Sequence, residues 1–203
     1  MGKNQKEIIE KFKKFTRWMQ GDIEKALFKA NANFLVTMGI MNYIEILGGF
    51  IIGYYQKDNQ DQIEINTKGR KLETLTKYRF GSFFSKLGSD YENLLNQKNL
   101  NVYNELRCGL THEYLPKKKK FCIYGPDKPM EENEIKVLMK KYKDIEVAIT
   151  YSARKWEINN PILYRDFSKA IEVLTENIVN SKKDIFRINF FEMARKINLN
   201  NFN

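Results

Sequence analysis

The sequence predicts a mainly α protein: an up-and-down helical bundle with a small antiparallel β elaboration and a long C-terminal helix. Three observations carry this reading. Apolar residues recur at steps of three and four over most of the chain, the spacing of one helix face. A short region after Pro116 alternates apolar and polar residues instead, as half-buried strands do. The length, 203 residues, suits one domain able to bury a core. The expected plan is a single domain over 1–203, with a bundle core at 5–115, a β-containing insertion at 116–160 and a C-terminal helix at 161–197 packed on the bundle.

Residues 5–30 form the first helix, with Ile8, Phe12, Phe15, Met19, Ile23, Ala26 and Ala30 on one stripe. Asn31 and Asn33 break or cap it. Residues 34–55 are apolar almost all round and admit two readings. About 20 such residues can span a bilayer, or they form the central helix of a bundle, buried on most sides. Asn42 and Glu45 near the middle favour the second, because a charge at the bilayer centre costs about 2.5–3.5 kcal/mol on insertion scales. No membrane partner is therefore expected. Gly49 and Gly53 either permit a close helix contact or mark the helix end.

Residues 56–70 read as a polar loop with a short strand at Ile63–Ile65. Helix resumes over 71–95, on Leu72, Leu75, Tyr78, Phe83, Leu87, Tyr91 and Leu94, with Gly81 and Gly88 as weak points. Tyr78, Phe80, Phe83 and Phe84 read as core. A fourth helix over 99–115 places Tyr103, Leu106, Leu110 and Tyr114 on one stripe and stops at Pro116. FCIY (121–124), IEVAITYS (145–152) and KWEI (155–158) make the small antiparallel sheet, with a short helix from Pro129 to about Tyr142 between them. Asn160-Pro161 starts the last helix, an asparagine cap before a first-turn proline. Its pattern runs through Ile171, Leu174, Ile178, Ile185, Ile188 and Ala194, with a bend near Ser181. Trp18 and Trp156 read as core or interface residues.

Composition narrows the function classes. Thirty-five basic against 25 acidic residues leave a net charge of +10, which permits a polyanionic partner such as RNA or a nucleotide. Lysine outnumbers arginine 27 to 8 and each half of the chain carries +5, so the charge is spread and no basic tail stands out. One histidine and two separated cysteines do not make a four-ligand zinc site, and no cofactor or metal is expected. Two free thiols and an N-terminal segment without an apolar signal region suit the cytoplasm. Phosphate-binding glycine loops, the nucleophile elbow and the zinc-protease pair are all missing.

Chemistry concentrates around the lone histidine, in YNELRCGLTHEYLPKKKK at 103–120. Metal-free RNA cleavage uses the 2′-hydroxyl as nucleophile. It needs a base for that proton, an acid for the leaving 5′-oxygen and a cation against the phosphorane-like transition state. Histidine serves either proton role near neutral pH, and arginine offers a charged fork matched to phosphate oxygens. His112 and Arg107 supply one of each. On an ideal helix, residues five apart stand about 140° from each other. A shared site therefore needs a long reach, a local distortion or a second copy of the chain. The competing reading makes His112 a surface or helix-terminal residue near the C-terminal dipole, with Arg107 snorkelling or paired to Glu105, Glu113 or another carboxylate. Asn104 and Glu113 lie close enough to orient the pair, and Tyr114 either stacks on a base or packs in the core. Lys117, Lys118, Lys119 and Lys120 either follow an RNA backbone or form a solvated charge run.

The Arg107-x4-His112 spacing on a fourth helix resembles the R-x(4–6)-H motif of the HEPN superfamily, small helical bundles that include many metal-independent ribonucleases. The resemblance covers the motif and the order of helices over about residues 5–115. It implies a homodimer in which two motifs meet, with His112 as general acid–base and Arg107 on the scissile phosphate, in a setting of stress, defence or toxin–antitoxin biology. Cys108 stands where the family often carries a polar residue. That substitution keeps a second reading open: a HEPN-like module that binds RNA, a nucleotide or a protein without chemistry.

Overall fold

A computed structural model describes residues 3–53, 62–63, 73–98, 100–112, 120–145, 147–180 and 185–199. In chain order the elements are α1 (Lys3–Phe28), α2 (Asn33–Ile52), β1 (Gln62–Ile63), β2 (Glu73–Thr74), α3 (Leu75–Phe84), a 3-10 turn (Ser85–Leu87) and α4 (Ser89–Asn96). A π-helical turn (Tyr103–Cys108) then runs into α5 (Gly109–His112), followed by β3 (Lys120–Tyr124), α6 (Glu132–Lys141), β4 (Ile149–Ser152), β5 (Lys155–Asn159), α7 (Asn160–Asn180) and α8 (Ile185–Lys196). The architecture is mainly helical with a small three-stranded sheet.

Helix α1 buries Ile9, Phe12, Met19, Ile23 and Leu27 and leaves Glu7, Glu10, Lys14 and Arg17 in water. Helix α2 is the one helix among the described residues that is long and apolar enough to cross a membrane. Its neighbours explain that hydropathy in another way. It packs against α1, α3, α7 and α8, and Ile40, Met41, Ile44, Leu47 and Phe50 are fully buried among them. The tightest contact made by its glycines belongs to Gly48, where a Cβ would stand 1.7 Å from the Arg79 carbonyl oxygen of α3; at Gly53 a Cβ would stand 2.9 Å from the Asn189 Cα of α8. Gly53 ends the helix in the left-handed region at φ 73°, its N–H bonded to the Gly49 carbonyl.

The predicted helix over 71–95 is interrupted. Gly88 takes φ 149°, which separates α3 and its 3-10 turn from α4. Phe80, Phe83 and Phe84 are core as expected, while Tyr78 is exposed. Trp156 is fully buried, but Trp18 is 51% exposed, beside Phe15 and Tyr43. Of the strand expected at Ile63–Ile65, only Ile63 lies among the described residues, paired with Glu73.

The expected antiparallel sheet is mixed. Strand β5 lies in the middle, antiparallel to β4 and parallel to β3. The reason is connectivity: a parallel pair needs a crossover, and α6 lies on the one that separates β3 from β5. Strand 145–152 shortens to Ile149–Ser152.

The last helix is capped one residue earlier than the sequence suggests. Asn159 is the cap, its Oδ1 accepting the Ile162 N–H at 3.3 Å. Asn160 is instead fully buried. Its Oδ1 accepts from the Thr37 hydroxyl at 2.7 Å and its Nδ2 donates to the Asn33 carbonyl at 2.7 Å, tying α7 to the start of α2. The single long C-terminal helix becomes two, α7 and α8, and the expected bend at Ser181 lies outside the described residues.

Candidate active site

Arg107 and His112 come together within one chain. Arg107 Nη1 stands 3.3 Å from His112 Nε2. A regular helix would hold them about 140° apart. The backbone is not regular there: the Gly109 N–H reaches back five residues to the Asn104 carbonyl, in the wide turn that spans Tyr103–Cys108. This turn underwinds the chain where Arg107 sits, and the long arginine side chain closes the remaining gap. Of the three routes open to the sequence, local distortion and a long reach act together within one chain. Arginine has donors only, so Nη1 donates and Nε2 is the acceptor. The contact therefore selects the imidazole form whose Nε2 carries the lone pair.

Arg107 is held from beneath by a residue that sequence reasoning treated only as an obstacle to membrane insertion. Glu45 of α2 is 7% exposed, and its Oε2 lies 2.7 Å from Arg107 Nε. The two atoms are close without hydrogen-bond alignment, so this is an ion contact first. Glu45 Oε1 also faces Arg79 Nη2 of α3 at 3.7 Å. Breaking a buried pair of this kind costs about 3–5 kcal/mol, because the remaining charge is stranded. Arg79 is nearly sealed, whereas the Arg107 side chain is 18% exposed and His112 is exposed.

Tyr103 completes the floor. The Arg107 guanidinium carbon lies 5.8 Å from its ring centroid, a cation–π distance. Burial, with the Glu45 carboxylate adding to it, pushes the Tyr103 phenol up to about 12 against a Thr76 hydrogen bond and the charge of Arg107. The ring stays a neutral platform. Two further ties fix the turn. Trp156 Nε1 of β5 donates to Glu105 Oε2 at 3.1 Å, which anchors the turn to the sheet. The Thr111 hydroxyl reaches Asn42 Oδ1 at 3.4 Å, which anchors α5 to α2.

The other predicted site residues do not all join this centre. Asn104 is exposed, and its backbone N–H bonds Asn101 Oδ1 at 3.2 Å; its carbonyl, by closing the π turn, does more for the site than its side chain. Lys120 is exposed at the start of β3, in register with Lys155, so it belongs to the sheet and not to the motif helix. Glu113, Tyr114, Lys117, Lys118 and Lys119 lie outside the described residues. Cys108 is a free, half-buried thiol packed against the core. Among the described residues no cluster of three histidine, cysteine, aspartate or glutamate side chains is placed to hold a metal. Glu45 and Arg79 are the residues that sequence reasoning missed. The available signal was a carboxylate inside an apolar helix, which must find a cation when buried. Comparison with protein-family models, curated proteins and solved structures finds no match to this chain.

Proposed function

We propose that this chain is a metal-independent endoribonuclease of HEPN-like type. One observation carries the reading: the only histidine of the chain meets an arginine at 3.3 Å, at an exposed point of a distorted helix. The arginine binds phosphate through a planar fork that stays charged. The histidine offers an Nε2 lone pair beside it. A phosphodiester that takes up the Arg107 donors brings its 2′-hydroxyl to that lone pair. Nε2 accepts the proton, the 2′-oxygen attacks phosphorus, and the 5′-oxygen leaves as a hydroxyl once it is protonated. The products are a 2′,3′-cyclic phosphate and a 5′-hydroxyl end. Arg107 stabilises the charge that develops on the phosphorus oxygens.

Cleavage needs an acid as well as a base, and each chain has one imidazole. A homodimer with two motifs in one cleft supplies the second. The net charge of +10 suits a polyanionic substrate, and Lys120 is exposed at the start of β3. A cytoplasmic location belongs to the same proposal. The test is labelled RNA incubated with the protein in EDTA. The native chain cleaves, and Arg107→Ala and His112→Ala each lose activity by at least about a hundredfold; equal cleavage by either variant refutes the assignment. The half-buried Cys108 beside Arg107 favours the second reading, a non-catalytic HEPN-like binding module. RNA retained in a salt-dependent way by an intact chain that never cuts it selects that reading.

A further inference from the structure

We infer that Glu45 is the positioning residue of this site: through Arg107 it sets where the guanidinium fork and the His112 ring stand. Its catalytic consequence rests on the ribonuclease reading, while its geometric content does not. Glu45 sits in a helix whose neighbouring inward positions are Met41, Ile44, Leu47 and Gly48, so packing alone gives no reason for a charge there. A carboxylate in such surroundings is retained at a cost that only close cations offset.

The cations come from two directions and differ in exposure. Arg79, 4% exposed, is delivered from α3 by the close crossing at Gly48. Arg107 arrives from the π turn, and its outer edge reaches His112 and solvent. The four groups thus run from core to surface as buried cation, buried anion, half-buried cation and exposed imidazole. Arg79 holds the carboxylate in place and the carboxylate holds Arg107 at Nε. That leaves Nη1 directed at the imidazole. A free arginine side chain would sample many rotamers; a buried carboxylate 2.7 Å from Nε narrows that range.

The purely structural alternative is that Glu45 only neutralises Arg79. The double variant Glu45→Gln/Arg79→Met separates the two, because it removes the carboxylate and the buried cation together. A single histidine makes the readout direct: nitrogen-15 NMR of the imidazole above its ordinary titration range reports which ring nitrogen holds the proton. In the native chain the proton sits on Nδ1 and Nε2 accepts from Arg107. In the folded double variant that preference relaxes toward a mixture, and kcat on RNA falls about tenfold to a hundredfold with KM little changed. Glu45→Asp keeps the charge facing Arg79 but withdraws it by one methylene. It gives the same two changes in smaller measure and decides the matter if the double variant does not fold. A folded variant that keeps both the native tautomer and the native kcat overturns the inference. A tautomer shift in a protein whose native form cuts no RNA upholds the positioning role and refutes the ribonuclease reading instead.

Discussion

Gly48→Ala should destabilise this protein, although it replaces glycine by the best helix former in the interior of a helix. Propensity alone favours alanine by about 0.8–1.0 kcal/mol. The new Cβ, however, stands 1.7 Å from the Arg79 carbonyl oxygen and 2.6 Å from its carbon. Real Cβ contacts do not fall below 3.0 Å, so α3 must retreat from α2 by at least the difference, about 1.3 Å. The obstacle is backbone, which cannot swing aside as a side-chain tip does. Overpacking of a tight core costs about 1–3 kcal/mol and occasionally more; a clash with backbone belongs at the upper end. The net loss is about 2–3 kcal/mol, which for a chain of this size lowers Tm by about 5–10 °C. Gly21→Ala in α1 is the internal control, since nothing lies within 4 Å of its Cβ. It should raise Tm by about 2–4 °C through propensity alone. Circular dichroism melts of the three proteins decide the matter. A Gly48→Ala melt at or above that of Gly21→Ala refutes the close crossing of α2 and α3, and with it the placement of Arg79 beside Glu45.

Asn160→Ala removes a fully buried side chain that bonds both Thr37 and the Asn33 carbonyl, and should cost about 2–4 kcal/mol in urea unfolding; a loss below 0.5 kcal/mol, about the surface-substitution range, contradicts the tie between α2 and α7. Burial also holds the phenols of Tyr91, Tyr103 and Tyr164 protonated beyond the ordinary range. The folded state then keeps protons that the unfolded state releases, so stability is intact below about pH 10 and declines as pH climbs past it. For Tyr103 that decline continues to about pH 12. Tyr91→Phe should flatten the alkaline limb of the stability curve, and an unchanged limb shows that Tyr91 ionises freely. Titrating inactive His112→Ala into the native protein should depress activity beyond simple dilution once subunits exchange; strict proportionality to native protein refutes shared imidazoles.

Much of the fold was legible because long periodic segments leave little choice. The stripes of α1 and α7 specify helices whatever surrounds them, and Asn42 with Glu45 marked the long apolar run of α2 as a core helix. The failures lie where local pattern and tertiary geometry part. Asn159 and Asn160 are adjacent and chemically alike; only the three-dimensional setting decides that the first caps α7 and the second is buried against α2. The parallel pairing of β3 with β5 depends on how α6 crosses over, which alternation of side chains does not encode. For the site, the residue types of Arg107 and His112 were readable, but their meeting was not. Side-chain spacing assumes a 3.6-residue period, and the π turn ending at Gly109 breaks that assumption. Glu45 was visible as an anomaly in an apolar run, yet its partners, Arg79 and Arg107, lie 34 and 62 residues further along the chain and are unreachable by any local rule.

The ends left on cut RNA test the chemistry assigned to Arg107 and His112 most directly. In EDTA, the native protein should yield fragments ending in 2′,3′-cyclic phosphate and beginning with 5′-hydroxyl. A substrate with a single 2′-deoxy sugar at the cleaved position should survive intact. Fragments that begin with 5′-phosphate, or cutting of the deoxy-substituted strand at that position, would mean that water attacks and that the 2′-hydroxyl is not the nucleophile. The pairing of this arginine with this histidine would then need another explanation.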